Sequence, residues 1–257
     1  IDPNAVMCSL LKDAEKEDIR LMPGIAYKSR IPDGIRTSGG DIKAGYVVNA
    51  AGLYADKIAW DFGFSRDYQI LPFKGLYLYS RDPQCPLRTH IYPVPDLNYP
   101  FLGVHFTITV EKKVKIGPTA IPAFWRENYS GMQNFQIEEF LDVLGLEAFL
   151  FLRNDFGFRN LAFSEMQKYF KPKMIRLARQ MVRGLDLGAF RGKSRPGIRA
   201  QPINLKSKKL EMDFLYEGDD KSFHLINAVS PAFTCALPFS DFLSEKIDGL
   251  LGGNLKK

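Results

Sequence analysis

The segment Ile91-Tyr-Pro-Val-Pro-Asp96 constrains the fold more than any other stretch of the chain. Prolines two residues apart bar a helix and exclude a central-strand ladder there. The chain then reads Phe101-Leu-Gly-Val-His-Phe-Thr107, a strand pattern in which His105 and Thr107 share one face. A turn at Glu111-Lys-Lys113 returns it to Ile116-Gly-Pro-Thr119. The pattern predicts a hairpin that sets one proton-handling imidazole on a rigid sheet. The chain holds only three histidines, which makes the placement of this one informative.

A chain of 257 residues buries a large core and usually forms one or two domains. Its 46% apolar and 25% charged residues match a soluble globular protein rather than a disordered or fibrous one. The net charge of +6 is spread over scattered residues such as Arg176, Arg183 and Arg195. It reads as a solvated basic face, or as a preference for an anionic substrate or membrane surface. No helix-turn-helix, zinc-finger or RNA-binding aromatic pattern points to nucleic acid. Cys8, Cys85 and Cys235 are too few and too far apart for a disulfide framework or a zinc site. A reducing compartment is expected, with the protein cytoplasmic or peripheral to a membrane. The longest apolar run, Phe140 to Leu152, is too short for a span and carries Asp142 and Glu147. Nothing reads as a signal peptide. The first residues, Ile1 to Leu10, read as the middle of a protein, with Asp2 capping a helix that has Pro3 at its first position.

Along the chain, a helix is expected from Pro3 to Lys16, then a strand pair around Gly24 to Lys28 and Gly34 to Ser38. Ala44 to Gly52 reads as a buried strand ended by glycine, and Tyr54 to Gly63 as a helix. Residues 68 to 82 and 91 to 118 alternate as strands of an antiparallel sheet. Three helices are expected at 135–152, 158–170 and 172–188. Pro196 to Gln201 reads as a loop, and Lys209 to Tyr216 and Ser222 to Asn227 as strands. A final helix is expected to open at Ser230 with Pro231 at its first position, and to be interrupted near Pro238. The fold class is therefore α/β and α+β. An incomplete Rossmann-like layer (1–65 and 191–257) holds an inserted domain of antiparallel or mixed sheet with helices (66–190).

Seven stretches in this order carry a family resemblance. They are Val47-Val-Asn-Ala-Ala-Gly-Leu-Tyr-Ala-Asp56, Leu71-Pro-Phe-Lys-Gly-Leu-Tyr77, Ile91 to Asp96, Gly103-Val-His-Phe-Thr107, Ile116-Gly-Pro118, Gly197-Ile-Arg-Ala-Gln201 and Asn227-Ala-Val-Ser-Pro-Ala232. Together they resemble the L-2-hydroxyglutarate dehydrogenase/oxidase group of the FAD-dependent, D-amino-acid-oxidase-like oxidoreductases. The resemblance covers nearly the whole chain. It implies an FAD-binding domain (1–65 and 191–257) and a substrate domain (66–190). It also implies oxidation of the 2-hydroxyl of a dicarboxylate, L-2-hydroxyglutarate to 2-oxoglutarate, with a hydride passing to FAD. Electrons would go on to a quinone or to oxygen. A related flavin oxidase of another 2-hydroxy or amino acid is the alternative enzyme.

The sequence departs from that pattern in one large respect. It has no Gly-x-Gly-x-x-Gly turn, since Gly39-Gly40 lacks the spacing. A dinucleotide-binding segment of roughly a hundred residues is expected to be missing, by the size of a βαβ unit and its extensions. The chain is then either a non-catalytic fragment or one subunit whose partner supplies that half as a separate chain. Strand 44–52 would have an unpaired edge, and the chain alone would be poorly soluble. Phe233 and Pro238 stand where close flavin packing would favour other residues.

Site expectations follow. His105 is the candidate base, because an imidazole titrates near neutral pH; a structural histidine is the alternative that the residue alone leaves open. Lys74 and Arg199 are candidate carboxylate cations, or surface ion-pair partners. Tyr77, Tyr92 and Thr107 are candidate substrate contacts or pocket walls. His90 and His224 are expected to be structural. For the cofactor, Gly52 and the Ser230-Pro231-Ala232 helix start are the expected flavin contacts, a helix N-terminus favouring negative charge on the reduced ring. No metal site is expected. The Phe- and Leu-rich helix 135–152 is either core or a peripheral membrane contact.

Overall fold

The computed structural model describes residues 1–94, 103–154, 157–229 and 231–252, without the side chains of Leu161 and Lys193. In chain order the elements are α1 (Pro3–Lys16), β1 (Tyr27–Ile31), β2 (Gly34–Thr37), β3 (Gly40–Lys43), β4 (Val47–Asn49) and α2 (Ala55–Phe62). β5 (Tyr68–Gly75), β6 (Leu78–Ser80), β7 (His105–Ile108), β8 (Val114–Gly117) and β9 (Ile121–Pro122) follow. Next come α3 (Ile137–Arg153), α4 (Phe158–Tyr169), α5 (Lys171–Arg179), β10 (Phe190–Lys193) and β11 (Gly197–Asn204). The last elements are β12 (Leu215–Gly218), β13 (Ser222–Asn227) and α6 (Ala236–Gly252). They form the expected mixed α/β architecture, in two compact units: Ile1–Arg66 with Asp213–Lys257, and Asp67–Met212.

In the first unit, α1 starts where the sequence dictates. The Asp2 carboxylate accepts from the amides of Asn4 and Ala5 at 2.9 and 3.3 Å, and Pro3 occupies the first turn. β1, β2 and β3 form an antiparallel sheet. A second sheet has the order β12-β13-β4, with β13 parallel to β4. β4 is its edge strand, and Val48 there is 55% exposed. The sheet is pinned by a buried polar chain. Asn49 Nδ2 donates to the Ala55 carbonyl at 2.8 Å and lies 3.1 Å from His224 Nδ1, while His224 Nε2 lies 3.1 Å from Ser222 Oγ. Asn49 can only donate from that nitrogen, so His224 is neutral with its proton on Nε2. Its burial lowers its pKa to about 4.

The second unit contains two sheets. The four-stranded antiparallel sheet β10-β6-β8-β7 buries Leu78, Phe106, Ile116 and Phe190 against Met174 and Ala178 of α5. The other, β11-β5-β9, packs Leu71, Phe73 and Ile203 against Val143 and Leu150 of α3 and Phe158 and Ala162 of α4. α3 buries Glu139, Val143, Glu147 and Leu150, a stripe at helical spacing that includes two carboxyls. Leu141 and Leu152, at 59% and 73% exposed, lie off that stripe.

Several sequence expectations fail for identifiable reasons. Residues 197–201 are strand: β11 pairs with β5 over all eight of its residues. Pro202 is tolerated because β11 is an edge strand, where a missing amide costs no ladder bond. The same pairing moves the expected division at 190/191 to 212/213, since 191–212 packs with the second unit. The helix expected to reach residue 188 ends at Arg179. Of Lys209 to Tyr216, only the last two residues are strand. α6 opens at Ala236, after a turn in which the Ala232 amide donates to Val229 O and Cys235 to Pro231 O. Pro238 does not interrupt it; it sits in the first turn, where an amide has no intrahelical acceptor.

Candidate active site

The prolines at 93 and 95 do what their spacing suggests for the chain before them. Ile91 forms a single bridge to Phe106, exchanging hydrogen bonds of 3.1 and 2.9 Å in both directions. This places Tyr92 beside His105, ring centroids 4.4 Å apart and 32° from parallel. Pro95 and Asp96 lie outside the described residues. β7 and β8 pair with His105 opposite Gly117 and Thr107 opposite Lys115. β6 adds Tyr79 opposite Lys115. Alternation sends Phe106 and Ile116 to the core and leaves His105, Thr107, Lys115 and Tyr79 on the other face.

Gly117 lets Tyr77 join this face. Its φ is +140°, and a Cβ there would stand 2.6 Å from the Leu76 carbonyl oxygen and 2.8 Å from Cδ1 of the Tyr77 ring. The Lys115 ammonium lies 4.1 Å from the centroid of that ring. A half-buried cation over an aromatic face is held in place without neutralisation of its charge.

His105 is buried, at 8% exposed, and its Nδ1 lies 2.9 Å from the Gly103 carbonyl oxygen. A carbonyl only accepts, so Nδ1 carries the proton and the Nε2 lone pair is left for another group. The pKa of His105 is lowered, first by burial and then by the charge of Lys115 and by His90; the Gly103 hydrogen bond opposes this. The imidazole is therefore neutral at pH 7 and able to take a proton. Lys115 is itself lowered by burial. Tyr77 is raised, mainly by burial, and Tyr92 and Tyr79 add to this. His90 is structural here: its Nδ1 accepts the Ile108 amide at 3.1 Å.

The structure thus gathers His105, Thr107, Tyr77 and Tyr92 and adds Lys115, which the sequence reading passed over. Lys74 is placed elsewhere. It lies on β5 with its Nζ donating to Asn128 Oδ1 at 2.8 Å, and it lines a cavity to which none of those four residues contributes. Arg199 is on β11 opposite Phe73, in the other sheet of the unit. Its side chain keeps solvent contact, yet desolvation by its neighbours lowers its pKa. The strand leading to it passes Tyr77, whose carbonyl accepts the Ser194 amide at 3.4 Å.

The expected flavin contacts belong to the first unit. Gly52 has φ +56°, and a Cβ there would meet nothing within 4 Å, so a planar group can approach its backbone. Pro231 and Ala232 lie in the turn before α6, not at a helix start, and the Ala232 amide is used within that turn. Ser230 lies outside the described residues. Gly52 fits a bound flavin; the 231–232 turn offers no free helix terminus to it. Among the described residues no group of His, Cys, Asp and Glu is arranged to hold a metal ion. Nor is any described helix long and apolar enough to cross a membrane.

Comparison with known proteins gives this geometry a context. The family model for FAD dependent oxidoreductases matches residues 1–210. The mitochondrial L-2-hydroxyglutarate dehydrogenase of Mus musculus is 32% identical over 253 residues, covering 93% of this chain and 53% of that protein. That of Pongo abelii is 39% identical over 246 residues, covering 92% and 46%. The L-2-hydroxyglutarate dehydrogenase of Escherichia coli K12 is 32% identical over 225 residues, covering 84% and 51%. The chain spans about half the length of the curated relatives it matches. Among solved structures, the L-alpha-glycerophosphate oxidase of Mycoplasma pneumoniae with FAD bound superposes with a TM-score of 0.54 at 16% identity, over 88% of this chain and 49% of that one, a likeness of fold.

Proposed function

The chain belongs to the family of FAD-dependent oxidoreductases, and on that premise we propose that it carries the substrate-handling part of an enzyme that oxidises L-2-hydroxyglutarate to 2-oxoglutarate. The observation that carries this reading is the neutral His105, protonated on Nδ1 and with Nε2 unused among the described residues, on one sheet face with Lys115 and Tyr77. Bound FAD supplies the hydride acceptor. His105 Nε2 takes the hydroxyl proton as the hydride leaves carbon. Tyr92, stacked on the imidazole, shields it from water, and Thr107 orients the hydroxyl. Lys115 pairs with one carboxylate and Arg199 with the second. Gly52 admits the flavin ring. Electrons then pass to a quinone or to oxygen.

The test is L-2-hydroxyglutarate binding and flavin reduction in the FAD-reconstituted protein. His105→Asn is expected to slow reduction by roughly 10²–10⁴ fold, the usual worth of a general base, with substrate affinity kept. Lys115→Met is expected to weaken substrate binding by about tenfold or more, and to raise the His105 pKa seen by NMR in the unliganded chain. Reduction at an undiminished rate in His105→Asn would sink the mechanism. Binding of L-2-hydroxyglutarate unchanged by Lys115→Met would sink the carboxylate assignment.

One observation favours a second reading, in which another chain completes the first unit. β4 is an edge strand with exposed Val48. A partner strand added there would pair its free backbone groups.

A further inference from the structure

The cavity lined by Lys74 serves none of the chemistry above. It measures about 710 Å³, within the range of small-molecule sites, and lies wholly inside the second unit. Its walls are apolar, with Phe151, Phe158, Met166 and Phe170 prominent. Only a few polar groups interrupt them. Lys74 is held by Asn128, whose own amide donates to the Gly131 carbonyl at 3.2 Å, so the ammonium is fixed and keeps donors to spare. Glu147 lies on the buried stripe of α3, is 8% exposed, and its Oε1 has no hydrogen-bond partner among the described residues.

We propose that this cavity binds an amphipathic carboxylate that carries a second hydrogen-bonding oxygen on its apolar body. The Lys74 ammonium calls for an anionic head, and a carboxylate matches it. The aromatic walls call for an alkyl or aryl body, since a small polar molecule would leave them unfilled. The orphaned Glu147 oxygen calls for a polar atom along that body, because an unsatisfied buried group costs roughly 1–3 kcal/mol until something meets it. Burial raises the Glu147 pKa to about 8, so at neutral pH it offers a hydroxyl donor and does not repel the head. A cationic amphiphile is disfavoured by Lys74. None of His105, Tyr77, Tyr92 or Thr107 lines the cavity, so its occupant is distinct from the redox substrate.

Calorimetric titration of the chain with dodecanoate, ω-hydroxydodecanoate and dodecanol tests this. The hydroxy acid is expected to bind about tenfold more tightly than dodecanoate, and dodecanol about tenfold more weakly, the worth of one buried hydrogen bond and one charge-assisted pair. Lys74→Met should bring the acids down to the alcohol, leaving the hydroxyl preference intact. Glu147→Leu should erase the hydroxyl preference alone. Circular dichroism checks that each variant is folded. Equal affinity for all three probes, variants that bind as the wild type does, or no binding by a folded wild-type chain would each overturn the proposal. L-2-hydroxyglutarate binding, measured alongside, reports on the redox site separately.

Discussion

Glu147→Gln should stabilise the protein, and by an amount that depends on pH in a defined way. The Glu147 side chain sits on the buried face of α3, where desolvation raises its pKa from 4.5 to about 8. In the unfolded chain the carboxyl ionises near 4.5. Between that pH and 8 the folded chain keeps a proton that the unfolded chain has released, so stability falls as pH rises through this window. At 1.36 kcal/mol per pKa unit, the loss is roughly 3 kcal/mol by pH 7 and roughly 5 kcal/mol once the folded-state group ionises. The glutamine amide has the same shape as the carboxyl and does not ionise. Urea unfolding of both proteins, followed by circular dichroism at pH values spanning the two pKa values, gives the difference directly, because every other titrating group cancels. The curves should converge near the unfolded-state pKa and diverge steadily above it. Parallel curves would mean that Glu147 is solvated or paired, and the reasoning would fail.

His224 should show the opposite sign. Its folded pKa is about 4 against 6.5 unfolded, so the unfolded chain takes up a proton first as pH falls. Stability that His224 contributes above pH 6.5 is lost on the way down to about 4, by up to roughly 3 kcal/mol, and His224→Gln should flatten that slope in acid unfolding titrations. Gly117→Ala should destabilise the fold by roughly 2–3 kcal/mol, since the new methyl meets the Leu76 carbonyl at 2.6 Å in a backbone conformation that side chains rarely adopt. Thermal melts would show it, and an unchanged melting temperature would argue against the close approach of Tyr77.

Much of this fold can be read from local chemistry. Asp2 and Pro3 announce α1, and the proline pair with the alternating run behind it announces the β7–β8 hairpin and the shared face of His105 and Thr107. What stays hidden depends on partners distant in sequence. β11 looks like a loop because Pro196, Gly197 and Pro202 are breakers, and only its edge position beside β5 makes them harmless. Lys115 follows Lys112 and Lys113 and looks like part of a solvated turn. Strict alternation with the buried Val114 and Ile116 is the available sign that it points the other way, toward Tyr77. Glu147 is masked by the apolar run around it; the stripe Glu139, Val143, Glu147, Leu150 shows which side it faces. Lys74 is legible as a candidate anion-binding cation but not as a member of a separate cavity, because that depends on where α3 and α4 come to rest.

The pairing of β4 with β13 also dictates an order of assembly. Val47 meets Ser222 and Asn49 meets His224, so the first unit is sewn together from the two ends of the sequence, with the whole second unit between them. During synthesis the second unit is a continuous stretch that is complete once Met212 has emerged, and it can fold at once. The first unit must wait, its β4 and α2 already made but without the strand that buries them. At synthesis rates of roughly 5–20 residues per second, that interval lasts many seconds. Non-local closure of this kind is slow. Over that interval the nascent chain presents the apolar side of α2, including Ala55, Ala59 and Phe62, to whatever holds unfolded chains in the cell.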